Sequence, residues 1–169
     1  VDTNGFIHTH AGTHTGGFNG EGPTLATSLQ LNVPNALWVR GDGTAYVLDT
    51  GNARVRRITT NGIMSTLFAA QSDTTIALDG GRCLWVKDDE SLAYFGNKTR
   101  IRKWTPSAGL QTLASGFTEL GTFCVLSSGN LIVADRGGSM VYNVTPSGVQ
   151  TIIAGNGTTG STTEGALAT

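Results

Sequence analysis

Charge is scarce in this chain. Asp, Glu, Lys and Arg make up 14% of its 169 residues, with 11 basic residues against 12 acidic ones. A formal net charge of −1 provides no field of one sign to gather nucleic acid or an anionic membrane surface. Disorder is also excluded, because 38% of the residues are hydrophobic and disordered segments combine high net charge with few apolar groups. No apolar run approaches the ~20 residues of a membrane span. The opening residues show no basic segment followed by an apolar one, so no signal peptide is read there. Cysteine is limited to Cys83 and Cys124, and neither has a CxxC partner or a Cys/His cluster beside it, which argues against a thiolate metal site. Two readings of the pair stay open: buried small hydrophobes, or a disulfide between repeats, which needs an oxidising compartment.

Glycine is abundant, at 24 residues, and suits many short strands joined by turns. Those strands recur in copies. The fullest copy runs Pro34-Asn-Ala-Leu-Trp-Val39, Gly43-Thr-Ala-Tyr-Val-Leu-Asp49, Arg54-Val-Arg-Arg-Ile58 and Gly62-Ile-Met-Ser-Thr-Leu-Phe68. A second gives Leu84-Trp-Val-Lys-Asp88 and Arg100-Ile-Arg-Lys-Trp104, and a third Leu131-Ile-Val-Ala-Asp135 and Met140-Val-Tyr-Asn-Val144. The turns Gly41-Asp-Gly43, Asn61-Gly62 and Ser128-Gly-Asn130 supply the positive φ that hairpins require. On this alignment Asp49, Asp88 and Asp135 end the second strand of their copies. They are expected to accept backbone N–H groups of the next turn, or to pair with Arg54, Arg56, Arg100 or Arg102. Four strands per copy, at a period of roughly forty residues, describe a propeller blade.

The two ends of the chain share a pattern. Val1 to Gly12 aligns with Val144 to Gly155, and Glu21-Gly-Pro-Thr-Leu-Ala-Thr27 with Glu164-Gly-Ala-Leu-Ala-Thr169. The expected organisation is therefore an outer strand of a preceding blade and a Gly/Thr-rich linker over 1–28, blades over 29–70, 71–116 and 117–155, and a linker to a further blade over 156–169. The fold class is all-β, a partial β-propeller of four-stranded antiparallel blades.

Pro34, Tyr46-Val-Leu-Asp49, Thr50-Gly-Asn-Ala-Arg-Val-Arg56 and Gly62 resemble the NHL repeat, which forms β-propellers. The resemblance is strong in the first copy and looser afterwards. The second copy has Asp89-Glu-Ser where Thr-Gly-Asn is expected, and the third has Arg136-Gly-Gly-Ser-Met with no arginine at the family position. Such propellers close with five or six blades, so three blades leave two faces to be covered by further blades or by other copies. The resemblance also brings two functions to test. Amidating lyases of this kind use histidines spread around the ring, and blades two and three here contain none. Some NHL propellers bind single-stranded RNA on a basic face. Here Arg54/Arg56/Arg57 and Arg100/Arg102/Lys103 give way to Met140, Tyr142 and Asn143 in the third blade, so nucleic acid is not expected as a partner.

Few groups remain as candidates for chemistry. His8, His10 and His14 are weak candidates for a zinc site, with His8 and His10 on one face of an expected strand; no cofactor is expected. The glycine-rich Gly16-Gly-Phe-Asn-Gly-Glu-Gly22 lacks the Lys-Ser/Thr of a phosphate loop and reads as a connection. Sequons at Asn97, Asn143 and Asn156, and three lysines beside 25 threonines, suggest an extracellular or cell-surface glycoprotein. Tyr94 and Phe95, in an expected long loop over 89–99, are the candidate anchors for a protein or glycan partner, while Trp38, Trp85 and Trp104 read as core. The expected function is a non-catalytic binding scaffold. The alternatives are a structural subunit of a glycosylated fibre or surface array, and part of a lyase or hydrolase whose active site lies outside these residues.

Overall fold

The structure is a computed structural model that describes residues 3–70, 82–160 and 168. The chain forms two compact units, Val1–Asp79 and Gly80–Thr169, and its regular structure is almost entirely antiparallel strand. In the first unit, Pro34–Val39 (β2), Ala45–Asp49 (β3), Arg54–Ile58 (β4) and Ile63–Ala69 (β5) follow one another as a meander, and Thr24–Leu25 (β1) adds to the outer edge by pairing with β5. The second unit holds two four-stranded meanders: Leu84–Val86 (β6), Ala93–Gly96 (β7), Arg100–Thr105 (β8) and Gly109–Ser115 (β9), then Leu120–Val125 (β10), Leu131–Asp135 (β11), Met140–Val144 (β12) and Gln150–Ala154 (β13).

The turns explain the meanders. Gly43, Gly62 and Gly129 have φ of 86°, 76° and 86°, the left-handed geometry that tight hairpins need and glycine adopts without a Cβ clash. Each closes on the previous strand through its own N–H, Gly43 to Arg40 O, Gly62 to Thr59 O and Gly129 to Leu126 O. The first turn of the second sheet has the same closure from Glu90 N to Lys87 O, with Glu90 itself at φ 57°.

That turn corrects the alignment of the second copy. Leu84-Trp-Val belongs to the first strand of its sheet and Asp88 to the turn after it, not to the end of a second strand. The second strand is β7, inside the stretch expected to be a long loop. Pairing fixes the equivalence: Trp38 faces Tyr46 as Trp85 faces Tyr94, and Asp49 faces Arg54 as Asp135 faces Met140. Residues 3–10 form no strand, so His8 and His10 do not share a strand face. The matching residues Gln150–Ala154 have β12 to pair with. The opening of the second expected blade, 71–81, and residues 161–167 of the closing linker lie outside the described residues.

Sheet packs on sheet in the second unit. Phe123, Leu131, Val133 and Val144 of the last sheet bury against Tyr94, Ile101 and Ala114 of the sheet before it, with Cys83, Phe117 and Leu120 closing the cluster. Gly96 leaves the space this needs, since a Cβ there would stand 2.5 Å from Cys83 Sγ and 2.6 Å from Leu120 Cδ2. Asp135 ties the connection to the sheet. It is 3% exposed and accepts N–H bonds from Thr118 (2.9 Å), Glu119 (2.9 Å) and Gly138 (3.1 Å). Asp49 does the same work in the first unit for Asn32 N (2.7 Å). Three backbone N–H groups depend on this one buried carboxylate, so Asp135→Ala is expected to cost about 3 kcal/mol. Urea unfolding at neutral pH measures this, and an unchanged midpoint would refute the anchoring role.

Candidate functional site

In the first unit the glycine-rich connection is a strap that lies across the sheet rather than a loose loop. Val47, Arg54, Arg56 and Thr66 occupy one face of the sheet by register, and the strap covers its polar half. Glu21 receives Arg54 Nη2 at 2.7 Å and Arg54 Nε at 3.1 Å, and Thr66 donates its hydroxyl to the same carboxylate. The Phe18 ring stacks under the Arg54 guanidinium at 3.8 Å. Gly20 O accepts Arg56 Nη2 at 3.0 Å, and Gly17 O accepts Asn52 Nδ2 at 2.8 Å. The charged face read from the sequence therefore reaches a carboxylate, but Arg54 finds it in Glu21 and not in Asp49. The linker after β13 repeats one feature of this strap: Gly12 N donates to Ala26 O, and Gly155 N to Ala168 O.

The electrostatics follow from burial. Arg56 is fully buried, and desolvation pulls its pKa down against the raising influence of Asp49 and Glu21. Burial pushes the Asp49 carboxyl up, against hydrogen bonds from Asn32 and Asn52 that lower it. Glu21 moves the other way, held down at about 2 chiefly by its hydrogen bond with Arg54.

The apolar half of the same face is an open groove of about 680 Å³, running from His10, Ala11 and Leu31 over Pro34 and Leu37 to Val47 and Ile58. A smaller depression of about 370 Å³ shares Ala11, Leu31 and Pro34 with it and continues past Thr9, Thr13 and His14. His14 sits at φ 66°, unusual for a residue with a side chain, and its Nε2 meets Thr9 Oγ1 at 3.1 Å. His10 thus borders the groove and His14 the depression beside it, and the two share an apolar floor of Ala11, Leu31 and Pro34.

The sequence candidates are placed as follows. His8, His10 and His14 are exposed, and among the described residues no group of three His, Cys, Asp or Glu side chains is disposed to hold a metal. Tyr94 and Phe95 are corrected: both are buried in β7, at 2% and 0% exposure, where they cannot anchor a partner. Tyr94 instead stacks on Trp85, ring centroids 5.7 Å apart. The disulfide is corrected as well, since Cys83 and Cys124 are both free, Cys83 buried and Cys124 exposed. Burial pushes the Cys83 thiol up to about 12. Asn156 is exposed and its Oδ1 accepts Thr158 N at 3.1 Å. Asn97 is half-buried and makes the same turn with Thr99 N at 3.3 Å. Asn143 lies within β12 and accepts Asn130 Nδ2 at 3.0 Å. Arg54, Arg56 and Arg102 are buried rather than displayed. Among the described residues no helix is long and apolar enough to cross a membrane. Sequence reasoning missed the Glu21–Arg54–Thr66 contact; its only trace was an acidic residue in an otherwise uncharged linker.

No family model and no curated protein matches the sequence. Solved structures do. Virginiamycin B lyase from Staphylococcus aureus aligns with a TM-score of 0.52 at 16% identity, over 69% of this chain and 39% of that one. A gluconolactonase from Xanthomonas campestris aligns at 0.54 and 21%, over 72% and 46%. An auxiliary nutrient binding protein from Bacteroides thetaiotaomicron aligns at 0.54 and 16%, over 75% and 37%. The fold is that of part of a β-propeller. The chain spans less than half the length of these structures. They also overturn the expectation of a non-catalytic scaffold, because the architecture found here is one in which a lyase and a lactonase carry out chemistry.

The strap generates a pH prediction. A carboxyl held at about 2 in the folded state, against 4.5 when unperturbed, stabilises above the higher value and loses that stabilisation as pH falls to the lower one. Glu21 is 53% exposed, so solvent screening limits the effect to about 1 kcal/mol. Urea unfolding of the native chain and Glu21→Gln should differ by this amount at pH 6 and converge near pH 2. Parallel curves across that range would refute it.

Proposed function

We propose that this chain forms part of a propeller enzyme of the lyase or lactone-hydrolase type, and that the histidine-edged depression of the first unit is where a substrate meets its acid–base groups. The observation that carries the reading is the fold shared with virginiamycin B lyase and a gluconolactonase. The local geometry supports it. Ala11, Leu31 and Pro34 make an apolar floor beside His10 and His14, an arrangement in which a few polar groups orient a mainly apolar ligand. A non-glycine residue held at positive φ costs conformational energy, and such positions cluster at functional sites. The Thr9 hydroxyl at 3.1 Å orients the His14 ring.

In hydrolysis of a lactone, one imidazole takes a proton from water as its oxygen attacks the carbonyl carbon. The ring C–O bond then breaks and the leaving oxygen receives a proton from the protonated imidazole. The repeats themselves are assigned to the NHL type on Tyr46-Val-Leu-Asp49 and Thr50-Gly-Asn-Ala-Arg-Val-Arg56, a finer assignment than propeller.

The test is turnover of glucono-1,5-lactone followed by pH-stat titration, and of quinupristin followed by mass spectrometry. One of the two is expected to be consumed, with a loss of about 100-fold or more in His10→Ala or His14→Ala. Both side chains are exposed, so these variants leave folding intact. Failure to consume either compound, or turnover indifferent to both substitutions, would overturn the reading.

A further inference from the structure

Asparagine is followed by glycine at Asn4, Asn19, Asn61 and Asn156. Such a pair carries a reaction of its own. The glycine nitrogen can attack the side-chain amide carbon before it, because no Cβ stands in the way. The fold decides which pair is free to react. Asn19 is clamped at both ends of its amide: Nδ2 donates to Ser28 O at 2.9 Å, and Oδ1 accepts Gln30 N at 2.7 Å. At Asn61 the attacking group is occupied, since Gly62 N donates to Thr59 O at 2.9 Å to close the hairpin.

Asn156 has neither restraint. Asn156, Gly157 and Thr158 are all exposed. Among the described residues, Gly157 N and Asn156 Nδ2 have no hydrogen-bond acceptor. The Asn156 Oδ1 instead accepts two hydrogen bonds from one residue, from the Thr158 hydroxyl at 2.6 Å and from Thr158 N at 3.1 Å. The fold itself calls for glycine next to this amide. Gly157 sits at φ 81°, and a Cβ there would stand 3.0 Å from Met140 Cε. Asn97 makes a similar turn with Thr99 N at 3.3 Å, but Lys98 follows it and its side chain hinders the attack.

We propose that Asn156 is a self-modifying site that consumes water, turning into aspartate and isoaspartate through a succinimide, and that Thr158 promotes the conversion. Gly157 N gives its proton to a base in solution and bonds to Asn156 Cγ. Negative charge develops on Oδ1, where the Thr158 hydroxyl and N–H stabilise it as an oxyanion hole does. The Cγ–Nδ2 bond then breaks, and ammonia leaves with a proton taken from water. Water opens either carbonyl of the ring, so the sum is one amide and one water giving one carboxylate and ammonium. The change adds a negative charge to a chain of net charge −1 and removes the sequon Asn156-Gly-Thr158. A glycan on Nδ2 and this conversion therefore exclude each other. The proposal rests on the turn after β13 and not on the enzyme reading.

The test is incubation of the 169-residue chain, made in a host without N-glycosylation, at pH 8 and 37 °C, with peptide mapping by mass spectrometry over time. In the folded chain Asn156 is expected to convert about tenfold faster than Asn19 or Asn61, the rate equivalent of one or two hydrogen bonds. In concentrated urea the three sites should convert at similar rates, because the contacts that separate them are gone. Thr158→Val removes the hydroxyl donor and is expected to slow Asn156 by about fivefold, while Thr158→Ser keeps the native rate. Circular dichroism matching the native spectrum shows that each variant is folded. Equal rates at the three sites in the folded chain, the same ordering in urea, or a Thr158→Val rate equal to the native one would each overturn the proposal.

Discussion

A sheet with two apolar faces is stable only where something covers both. A four-stranded meander of this size cannot do that for itself, because its two faces point away from each other. The second unit meets the constraint by laying one sheet on the next, so that Tyr94 and Ile101 bury against Leu131 and Val133. The first unit meets it in part with its own connection, in which Ala26, Leu29 and Leu31 pack over Ala45, Val47 and Met64. The strap explains how a strand can hold two arginines on an inward face. Arg54 and Arg56 are desolvated, a state that is tolerable only when opposite charge and carbonyl oxygens replace the lost water. Glu21, Gly20 O and the Phe18 ring supply that replacement.

The regular parts of this organisation were legible in the sequence because they depend on local chemistry. Gly43, Gly62 and Gly129 had to adopt positive φ, and the alternation of Tyr46-Val-Leu-Asp49 with Arg54-Val-Arg-Arg-Ile58 fixed two paired strands. The second copy was misread where local chemistry was altered. Its turn carries Glu90 in the position glycine holds elsewhere, and Asp88 followed a strand-like Leu84-Trp-Val in the manner of Asp49. Without the glycine marker, β7 looked like the middle of a long loop, and Tyr94 and Phe95 looked like surface anchors. Pairing of Trp85 with Tyr94 settles the register, and that is non-local information.

The candidate site was less legible, for the same reason. Three histidines near one end suggested a metal because they are close in sequence. What places His10 and His14 beside a shared apolar floor is the fold of the strap: Gly12 N bonded to Ala26 O at 3.0 Å and Gly17 N to Leu31 O at 3.2 Å bring residues 9–17 alongside Leu31 and Pro34. Neither hydrogen bond has a signature in the sequence. The strand expected over His8 and His10 fails for a related cause. Alternation alone does not make a strand; a neighbour must supply the ladder, and β13 has β12 where residues 6–10 have none among those described.

The groove face changes character from one end to the other. Toward Leu37, Val39 and Ile58 its side chains are mainly apolar. Toward Thr9, His10 and His14 it gains hydroxyls and imidazoles, the groups a reaction needs. The strap shapes both ends, since Ala11, Leu31 and Pro34 belong to both depressions.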